Sequence, residues 1–251
     1  MEREKLFSQL ELSDIAGQVL CYDVYDKDDP AEVEKVLAEI HPGALYLDNM
    51  SYEKIQMYTE MANKYTKIPI AIVTDVEYGP GENMSGLPVL PNVMAWSACD
   101  DEKLIERAAE IMAKICRLHG ISWTLSPVVD INMNYNNPLV NIRSASDSPE
   151  QVKKIMGAFL RGIKKHGYMA ATLKHFPGDG VDDRNQHFCT TVNSLSMPEW
   201  RKTFGNVYKY MIAEGVDSVM CTHIGLPAYA NECDELGAVS SVLSKDRKSV
   251  V

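Results

Sequence analysis

The sequence alternates short apolar runs typical of β-strands with longer amphipathic segments typical of α-helices. The strand-like runs lie at residues 18–24, 44–47, 69–74, 121–129, 168–174 and 217–222. The helix-like segments, in which apolar residues recur with a helical period, lie at residues 30–40, 51–67, 101–119, 149–166 and 198–214. Strands that are joined through helices in this way run parallel, so the order predicts an α/β fold with a parallel sheet.

Two observations favour a closed barrel over an open, doubly wound sheet. No G-x-G-x-x-G sequence follows the first strand-like run, and polar residues gather where the strand-like runs end, which is where barrel enzymes carry their chemistry. We therefore predict a TIM (β/α)8-type barrel, of which residues 1–251 supply about six βα units as one C-terminally incomplete domain. The last strand of such a sheet has an open edge, which predicts a dimer through that edge.

Composition limits the partners and the location. The net charge of −10 argues against a nucleic-acid partner, because phosphate recognition needs a basic surface. No apolar run approaches the roughly 18 residues of a membrane span, and no signal-peptide pattern is visible at the amino terminus. The six cysteines lack C-x-x-C spacing, which fits neither a zinc site nor a disulfide framework. We therefore expect a cytoplasmic protein without a membrane or metal partner.

Polar clusters follow the strand-like runs at four places along the chain. These clusters are Asp75-Val76-Glu77, Asn141-Ile142-Arg143, Lys174-His175 and His223. Each cluster alone is typical of a structural ion pair or a strand-end cap. Because the carboxyl ends of barrel strands meet at one mouth, the four together predict a polar pocket.

Residues 174–180 read KHFPGDG, and this segment resembles the signature of glycoside hydrolase family 3. The resemblance extends to residues 126–152 (SPVVDINMNYNNPLVNIRSASDSPEQV) and to residues 223–229 (HIGLPAY), and it covers roughly residues 18–243. It implies a barrel that cleaves terminal β-linked sugars and needs no cofactor. The implied partner is an oligosaccharide or small glycoside.

The resemblance also assigns roles to the polar clusters. Asp75 is similar to the carboxylate that binds hydroxyl groups of the sugar, and the other implied sugar-binding residues are Arg143, Lys174, His175 and His223. Carboxylates accept hydrogen bonds from sugar hydroxyls and cationic side chains donate to them, so these residue types suit a pyranose.

His187 resembles the acid/base histidine of the β-N-acetylglucosaminidase branch, which lies on a mobile loop after strand five. In that branch an aspartate two residues earlier orients the histidine, whereas this sequence has Asn185. Either Asp183 takes the place of that aspartate, or the pKa of His187 falls because an amide stabilises an imidazolium less well than a carboxylate does.

The family's nucleophile is an aspartate at the end of strand seven, within a pattern like G-[FY]-x-G-x-[VI]-x-[ST]-D. Residues 231–251 contain no match, and Asp246 lies in a segment that resembles the preceding helix, so it is not assigned this role. We expect the nucleophile in sequence beyond Val251, because covalent catalysis needs a carboxylate at that position.

The sequence therefore predicts a retaining exo-β-glycosidase. The main prediction is a β-N-acetylhexosaminidase, and a β-glucosidase is the near alternative. A second alternative is a non-catalytic sugar-binding remnant that lacks the nucleophile. A third is a metal-dependent hydrolase, because Asp and His side chains suit divalent metals. Its candidate ligands are His175, Asp179, Asp182, Asp183 and His187.

Overall fold

The structure is a computed structural model that describes residues 8–229, 233–234 and 237–244. The chain divides into two compact units. The first comprises the residues up to Val89 together with Lys114–Thr124, and the second comprises Leu90–Ala113 together with the chain from Leu125 onward. Asp246 lies outside the described residues, as does most of the segment that was searched for a nucleophile pattern.

The first unit is built on parallel strands that follow one another in chain order. The strands are β1 (Cys21–Tyr25), β2 (Ala44–Asp48), β3 (Ala71–Thr74) and β4 (Trp123–Thr124), paired in the order β1-β2-β3-β4. The helices are α1 (Leu12–Gly17), α2 (Pro30–Ile40) and α3 (Tyr52–Asn63), and Pro80–Glu82 forms a 3₁₀ turn. Ala44 is in register with Cys21 on one side and with Ala71 on the other, so β2 lies between β1 and β3.

Local sequence explains where the helices of this unit begin. The Asp29 carboxylate accepts a hydrogen bond from the Ala31 backbone, and Pro30 opens α2 without leaving a backbone N–H unpaired. Ser51 caps α3 in the same way through the backbone N–H of Lys54. Both helices bury apolar residues, and the core beneath them includes Val33, Leu37, Leu45, Leu47, Ile55, Tyr58, Ile72 and Val73.

The second unit contains the remaining elements. Its helices are α4 (Val93–Cys99), α5 (Glu102–Leu118, which belongs to the first unit from Lys114 on), α6 (Pro149–Lys164), α7 (Met197–Lys202) and α8 (Phe204–Ala213), and Asn141–Arg143 forms a 3₁₀ turn. Its strands are β5 (Ala170–Phe176), β6 (Thr191–Val192), β7 (Ser218–Cys221), β8 (Ile224–Gly225), β9 (Cys233–Asp234) and β10 (Gly237–Ala238). β5 pairs in parallel with β7, β6 in parallel with β8, and β9 antiparallel with β10.

Aromatic side chains fix the helices of this unit against β5. The Phe176 ring, at the end of β5, meets Trp200 and Tyr208 edge-on at centroid distances of 6.2 and 5.3 Å. Edge-to-face pairs of this kind are favourable because the positive edge of one ring faces the negative face of the other. The Trp200 indole also donates to the Pro177 carbonyl at 2.8 Å, so α7 holds the chain where it leaves β5.

The predicted α/β fold with parallel strands is confirmed, and the six predicted strands correspond to β1–β5 and β7. The predicted single helix over 198–214 is wrong, because the backbone of Thr203 (φ −105°, ψ −97°) leaves the helical region and separates α7 from α8. None of the predicted helix-like segments includes α4, which begins at Val93 after the Asn92 cap. In the described part of the chain, every helix is too short or too polar to cross a bilayer.

Candidate functional site

The predicted site residues fall into the two units unequally. Asp75 belongs to the first unit, where it directly follows β3. The second unit holds all the others, which are Arg143, Lys174, His175, Asp183, Asn185, His187 and His223.

Asp75 lies among carboxylates and a half-buried tyrosine at the carboxyl ends of the first unit's strands. The Tyr46 hydroxyl donates to Asp75 Oδ2 at 2.9 Å, and the Asn83 amide donates to the Asp75 carbonyl at 3.0 Å. Burial, and then the charges of Asp23 and Asp75, raise the pKa of Asp48 above its ordinary value. This concentration of negative charge suits the binding of hydroxyl or cationic groups.

Glu82 supports the backbone just after Asp75. Its Oε2 atom accepts from the backbone N–H groups of Glu77 at 2.7 Å and Tyr78 at 3.4 Å. Burial raises the pKa of Glu82 to about 7, and the negative charge of Glu77 adds to this effect. The carboxyl thus fixes the turn through hydrogen bonds while its charge is disfavoured.

In the second unit, a buried carboxylate holds the imidazole of His175. Asp130 Oδ2 lies 2.5 Å from His175 Nδ1, and Oδ1 accepts from the backbone N–H groups of His175 at 3.2 Å and Asp179 at 2.7 Å. Burial alone favours the neutral acid, but the pKa of Asp130 lies below its ordinary value because His175 and these two N–H groups stabilise the anion. Lys174 and His175 are themselves buried.

The other nitrogen of His175 faces Arg143. Arg143 Nη2 lies 3.3 Å from His175 Nε2. A guanidinium has donors and no acceptor, so this hydrogen bond requires Nε2 to accept and places the His175 proton on Nδ1, towards Asp130. Arg143 and His175 therefore lie within hydrogen-bonding distance of each other.

His187 lies on the exposed part of the loop that follows β5. Its backbone N–H and its ring Nδ1 both meet Asn185 Oδ1 at 2.9 Å. The amide oxygen can only accept, so Nδ1 carries a proton and Nε2 is left to exchange one. Partial burial lowers the pKa of His187, and the nearby cationic side chains, which include Arg143 and Lys174, lower it further.

The ring of His187 is held by Asn185. The Nδ1 atom of His187 bonds to the Asn185 amide oxygen, whereas Asp183 is exposed. The lowered pKa of His187 comes chiefly from partial burial, and nearby positive charges add to it. His223 is exposed, and its carbonyl accepts from the Thr191 backbone at 3.2 Å, which joins the chain after β7 to the start of β6.

Sequence reasoning missed the part played by Asp130, which directly follows the strand-like run 121–129. Asp130 follows the short strand β4 and contacts a residue 45 positions later in the chain. A buried aspartate directly after an apolar run is a detectable signal, but its partner is fixed only by the fold.

Two of the carboxylates proposed as metal ligands, Asp179 and Asp182, are engaged in other contacts. Arg184 forms a bidentate pair with Asp182, whose pKa falls to about 2 because of it. Asp179 accepts from Asn137 and Gln186 side chains, at 2.9 and 3.0 Å. Within the described ranges, no three His, Cys, Asp or Glu side chains are grouped so that they could hold a metal ion.

Comparison with known proteins gives consistent matches. Residues 4–244 match the family described as "Glycosyl hydrolase family 3 N terminal domain". A beta-N-acetylglucosaminidase/beta-glucosidase of Cellulomonas fimi is 34% identical over 214 residues, or 85% of this chain and 38% of that protein.

Two solved structures show the same fold. A beta-glucoside phosphorylase, BglX, bound to 2FGlc is 32% identical with a TM-score of 0.85, over 95% of this chain and 44% of that one. A family 3 beta-N-acetylglucosaminidase from Paenibacillus sp. str. FPU-7 is 27% identical with a TM-score of 0.84, over 94% of this chain and 45% of that one. The chain thus spans less than half the length of each of these relatives.

Proposed function

The chain belongs to glycosyl hydrolase family 3, and from that premise we propose that the protein carrying it is a retaining exo-β-glycosidase in which His187 is the acid/base. The observation that supports this proposal most directly is the geometry of His187. Asn185 binds Nδ1, and Nε2 remains available on an exposed loop of the same unit as Arg143, Lys174 and His175. Glycosidic cleavage needs such a proton donor to the departing oxygen.

We assign sugar binding to Arg143, Lys174, His175 and His223 in the second unit and to Asp75 in the first. The Asp130 carboxylate fixes the His175 ring, so a sugar hydroxyl would meet an imidazole that is already oriented. Preorganised donors and acceptors bind with less loss of side-chain freedom. Each assignment follows the family motif at that residue and is supported by its polar surroundings.

The mechanism uses two protonation states of His187. In the first step the imidazolium gives its proton to the glycosidic oxygen, while a carboxylate supplied outside residues 1–251 forms the glycosyl-enzyme. In the second step the neutral imidazole accepts a proton from the water that attacks the anomeric carbon. Asn185 keeps the Nδ1 proton in place through both steps, and Asp183 is not needed for this role.

Terminal β-linked N-acetylhexosamine is the proposed substrate, and a β-glucoside is the near alternative. Both activities appear in the name of the Cellulomonas relative, a beta-N-acetylglucosaminidase/beta-glucosidase. The test is hydrolysis of p-nitrophenyl β-N-acetylglucosaminide and β-glucoside by the protein that carries this chain. His187→Ala should lower kcat/KM by roughly 100- to 10,000-fold. His166→Ala is the matched control, because this exposed histidine contacts Glu110 on the surface.

Phosphorolysis is a second candidate, and one feature of the site favours it. The proposed acid/base, His187, is held by the neutral amide of Asn185 where a carboxylate would carry a negative charge. Cationic side chains lie near it. Phosphate is repelled by an anionic base and attracted by such surroundings. In this reaction a phosphate oxygen replaces water, attacks the anomeric carbon and releases the enzyme carboxylate. The product with phosphate would be a sugar 1-phosphate, whereas water gives the free sugar, and product analysis decides between them.

The cytoplasmic location and the dimer remain predictions. Five cysteines remain unpaired thiols among the described residues, namely Cys21, Cys99, Cys116, Cys189 and Cys221, which supports the proposed cytoplasmic location. A dimer through the open sheet edge would be tested by sedimentation velocity over a range of protein concentrations. If the protein is a non-catalytic remnant, it should bind the sugar but show no turnover in the hydrolysis assay.

A further inference from the structure

The loop that carries His187 also carries a buried glutamine. Residues 177–190, here called the His187 loop, join β5 to β6. Gln186 is only 4% exposed, whereas its neighbour His187 is exposed. The side chain of Gln186 therefore points into the second unit where that of His187 points outward.

Gln186 binds a buried carboxylate at the start of the same loop. Its Nε2 atom donates to Asp179 Oδ2 at 3.0 Å. The Asp179 Oδ1 atom accepts from Asn137 Nδ2 at 2.9 Å and from the Gly180 backbone at 2.7 Å. Asp179 is 2% exposed, so these hydrogen bonds replace nearly all of its contact with water.

The backbone of Asp179 connects the loop to His175, the proposed sugar-binding histidine. The Asp179 backbone N–H donates to Asp130 Oδ1 at 2.7 Å, and Asp130 Oδ2 binds His175 Nδ1. A continuous series of buried contacts thus runs from His175 through Asp130 and Asp179 to Gln186, the residue before His187. All of its members lie in the second unit.

We propose that Gln186 and Asp179 are positioning residues that fix His187 relative to His175. The inference rests on the proposed function of His187. Asn185 holds the ring but belongs to the same exposed turn, where its carbonyl accepts from the Phe188 backbone at 3.0 Å. Gln186 is the member of this turn whose side chain is anchored in the interior, so it sets where the turn lies.

Steady-state kinetics in the protein that carries this chain tests the proposal. Gln186→Ala should lower kcat about tenfold and leave KM within about twofold, because the acid/base is misplaced while the sugar-binding groups are kept. Gln151→Ala is the matched control, since it removes another amide-to-carboxylate hydrogen bond, to Asp100 at 2.8 Å, in a helix away from the loop. It should leave kcat unchanged.

Two substitutions of Asp179 separate the hydrogen bond from general loss of structure. An asparagine in its place can accept from Asn137 and, after rotation of the Gln186 amide, donate to that amide's oxygen. Asp179→Asn should therefore cost less kcat than Asp179→Ala. Equal losses in both, or an equal loss in Gln151→Ala, would overturn the proposal.

The imidazole spectrum of His187 gives a readout that does not depend on turnover. In ¹⁵N-labelled protein, Gln186→Ala should shift or broaden the His187 ring resonances and leave those of His166 unchanged. Unmoved His187 resonances together with unchanged kcat would refute the positioning role. If the unmodified protein hydrolyses no β-glycoside, the proposed function fails, and the spectrum alone then decides whether Gln186 positions His187.

Discussion

At the residue scale, the surroundings of His187 lower its proton affinity, chiefly through partial burial. Asn185 accepts the Nδ1 proton without supplying a negative charge, and partial burial together with the cationic neighbours disfavours the imidazolium. A histidine with a lowered pKa gives up its proton at lower pH. The proposed acid step is therefore lost as pH rises through that lowered pKa.

Restoring the carboxylate tests this relation. Asn185→Asp places a negative charge beside Nδ1–H, which stabilises the imidazolium and raises the pKa of His187. The alkaline limb of the kcat/KM profile should move to higher pH, measured with an aryl β-glycoside in buffers of constant ionic strength. An unmoved limb would mean that a group other than His187 titrates there.

The sequence identified most polar groups of this site but not how they interact. Lys174, His175 and Arg143 were found because motifs carry them. The contacts of Asp130 with His175 and of Asp179 with Gln186 were not found, because each joins residues that are separated in the chain and meet only when it folds. The pKa of His187 likewise depends on neighbours that are distant in the chain.

Glu82 gives the first unit a pH-dependent stability. Its pKa is raised to about 7 in the folded protein, so the folded state binds a proton that the unfolded chain releases near its ordinary value of 4.5. Stability is therefore highest below the unfolded pKa and is lost as pH rises towards 7.

Glu82→Gln should remove this dependence. The amide oxygen can still accept from the Glu77 and Tyr78 backbones, and no buried charge forms. We expect the variant to gain about 2 kcal/mol relative to the wild type at pH 8 but little at pH 4, in urea unfolding at both pH values. Equal gains at both pH values would show that the charge of Glu82 is not responsible.

At the element scale, the close approach of α5 and α6 depends on Gly162. A Cβ atom at this position would lie 2.3 Å from the Glu106 carbonyl oxygen and 2.7 Å from Ala109 Cβ. Gly162→Ala should therefore destabilise the protein by roughly 1–3 kcal/mol, although alanine is the better helix former.

Thermal unfolding of this variant provides the measurement. Lys165→Ala is its control, since it removes an exposed ion pair with Glu110 from the same face without crowding the helices. Its expected effect is below about 1 kcal/mol. A Gly162→Ala variant as stable as the wild type would mean that the two helices can move apart at little cost.

The helices show where sequence patterns suffice and where they fail. The predicted and observed bounds of α2 agree because the Asp29 cap, Pro30 and the apolar period all mark the same residues. The break at Thr203 was not predicted, because the apolar period continues across it. There the Phe204 ring packs against Gly178, whose positive φ of 116° and close contact leave no room for a side chain.

At the scale of the whole molecule, the chain carries the residues proposed for sugar binding and acid/base catalysis, but its sequence has no match to the family's nucleophile pattern. The match covers 38% of the Cellulomonas relative, so most of that protein has no counterpart among residues 1–251. The fold class was predictable because strand and helix periods are strong over most of the chain. The nucleophile was not, because no described residue occupies a recognisable counterpart of its motif.

Turnover by the 251-residue chain alone tests whether its own residues are enough for catalysis. We expect it to hydrolyse no p-nitrophenyl β-N-acetylglucosaminide, because the covalent step needs a carboxylate that its motifs do not provide. Calorimetric binding of N-acetylglucosamine, measured beside it, reports whether the sugar-binding groups are formed. Hydrolysis with retention by this chain would place the nucleophile among its own carboxylates and contradict our expectation.

The two ends of the His187 loop are tied to each other inside the second unit. The Asn193 amide donates to the Gly178 carbonyl at 3.0 Å, and Asp182 Oδ2 accepts from the Val192 backbone at 2.8 Å. A segment closed at its base in this way keeps its two flanks together whatever residues stand at its exposed tip. A protein engineer could therefore vary the tip around His187, the proposed proton-transfer group, as a cassette while keeping the buried anchors Asp179 and Gln186.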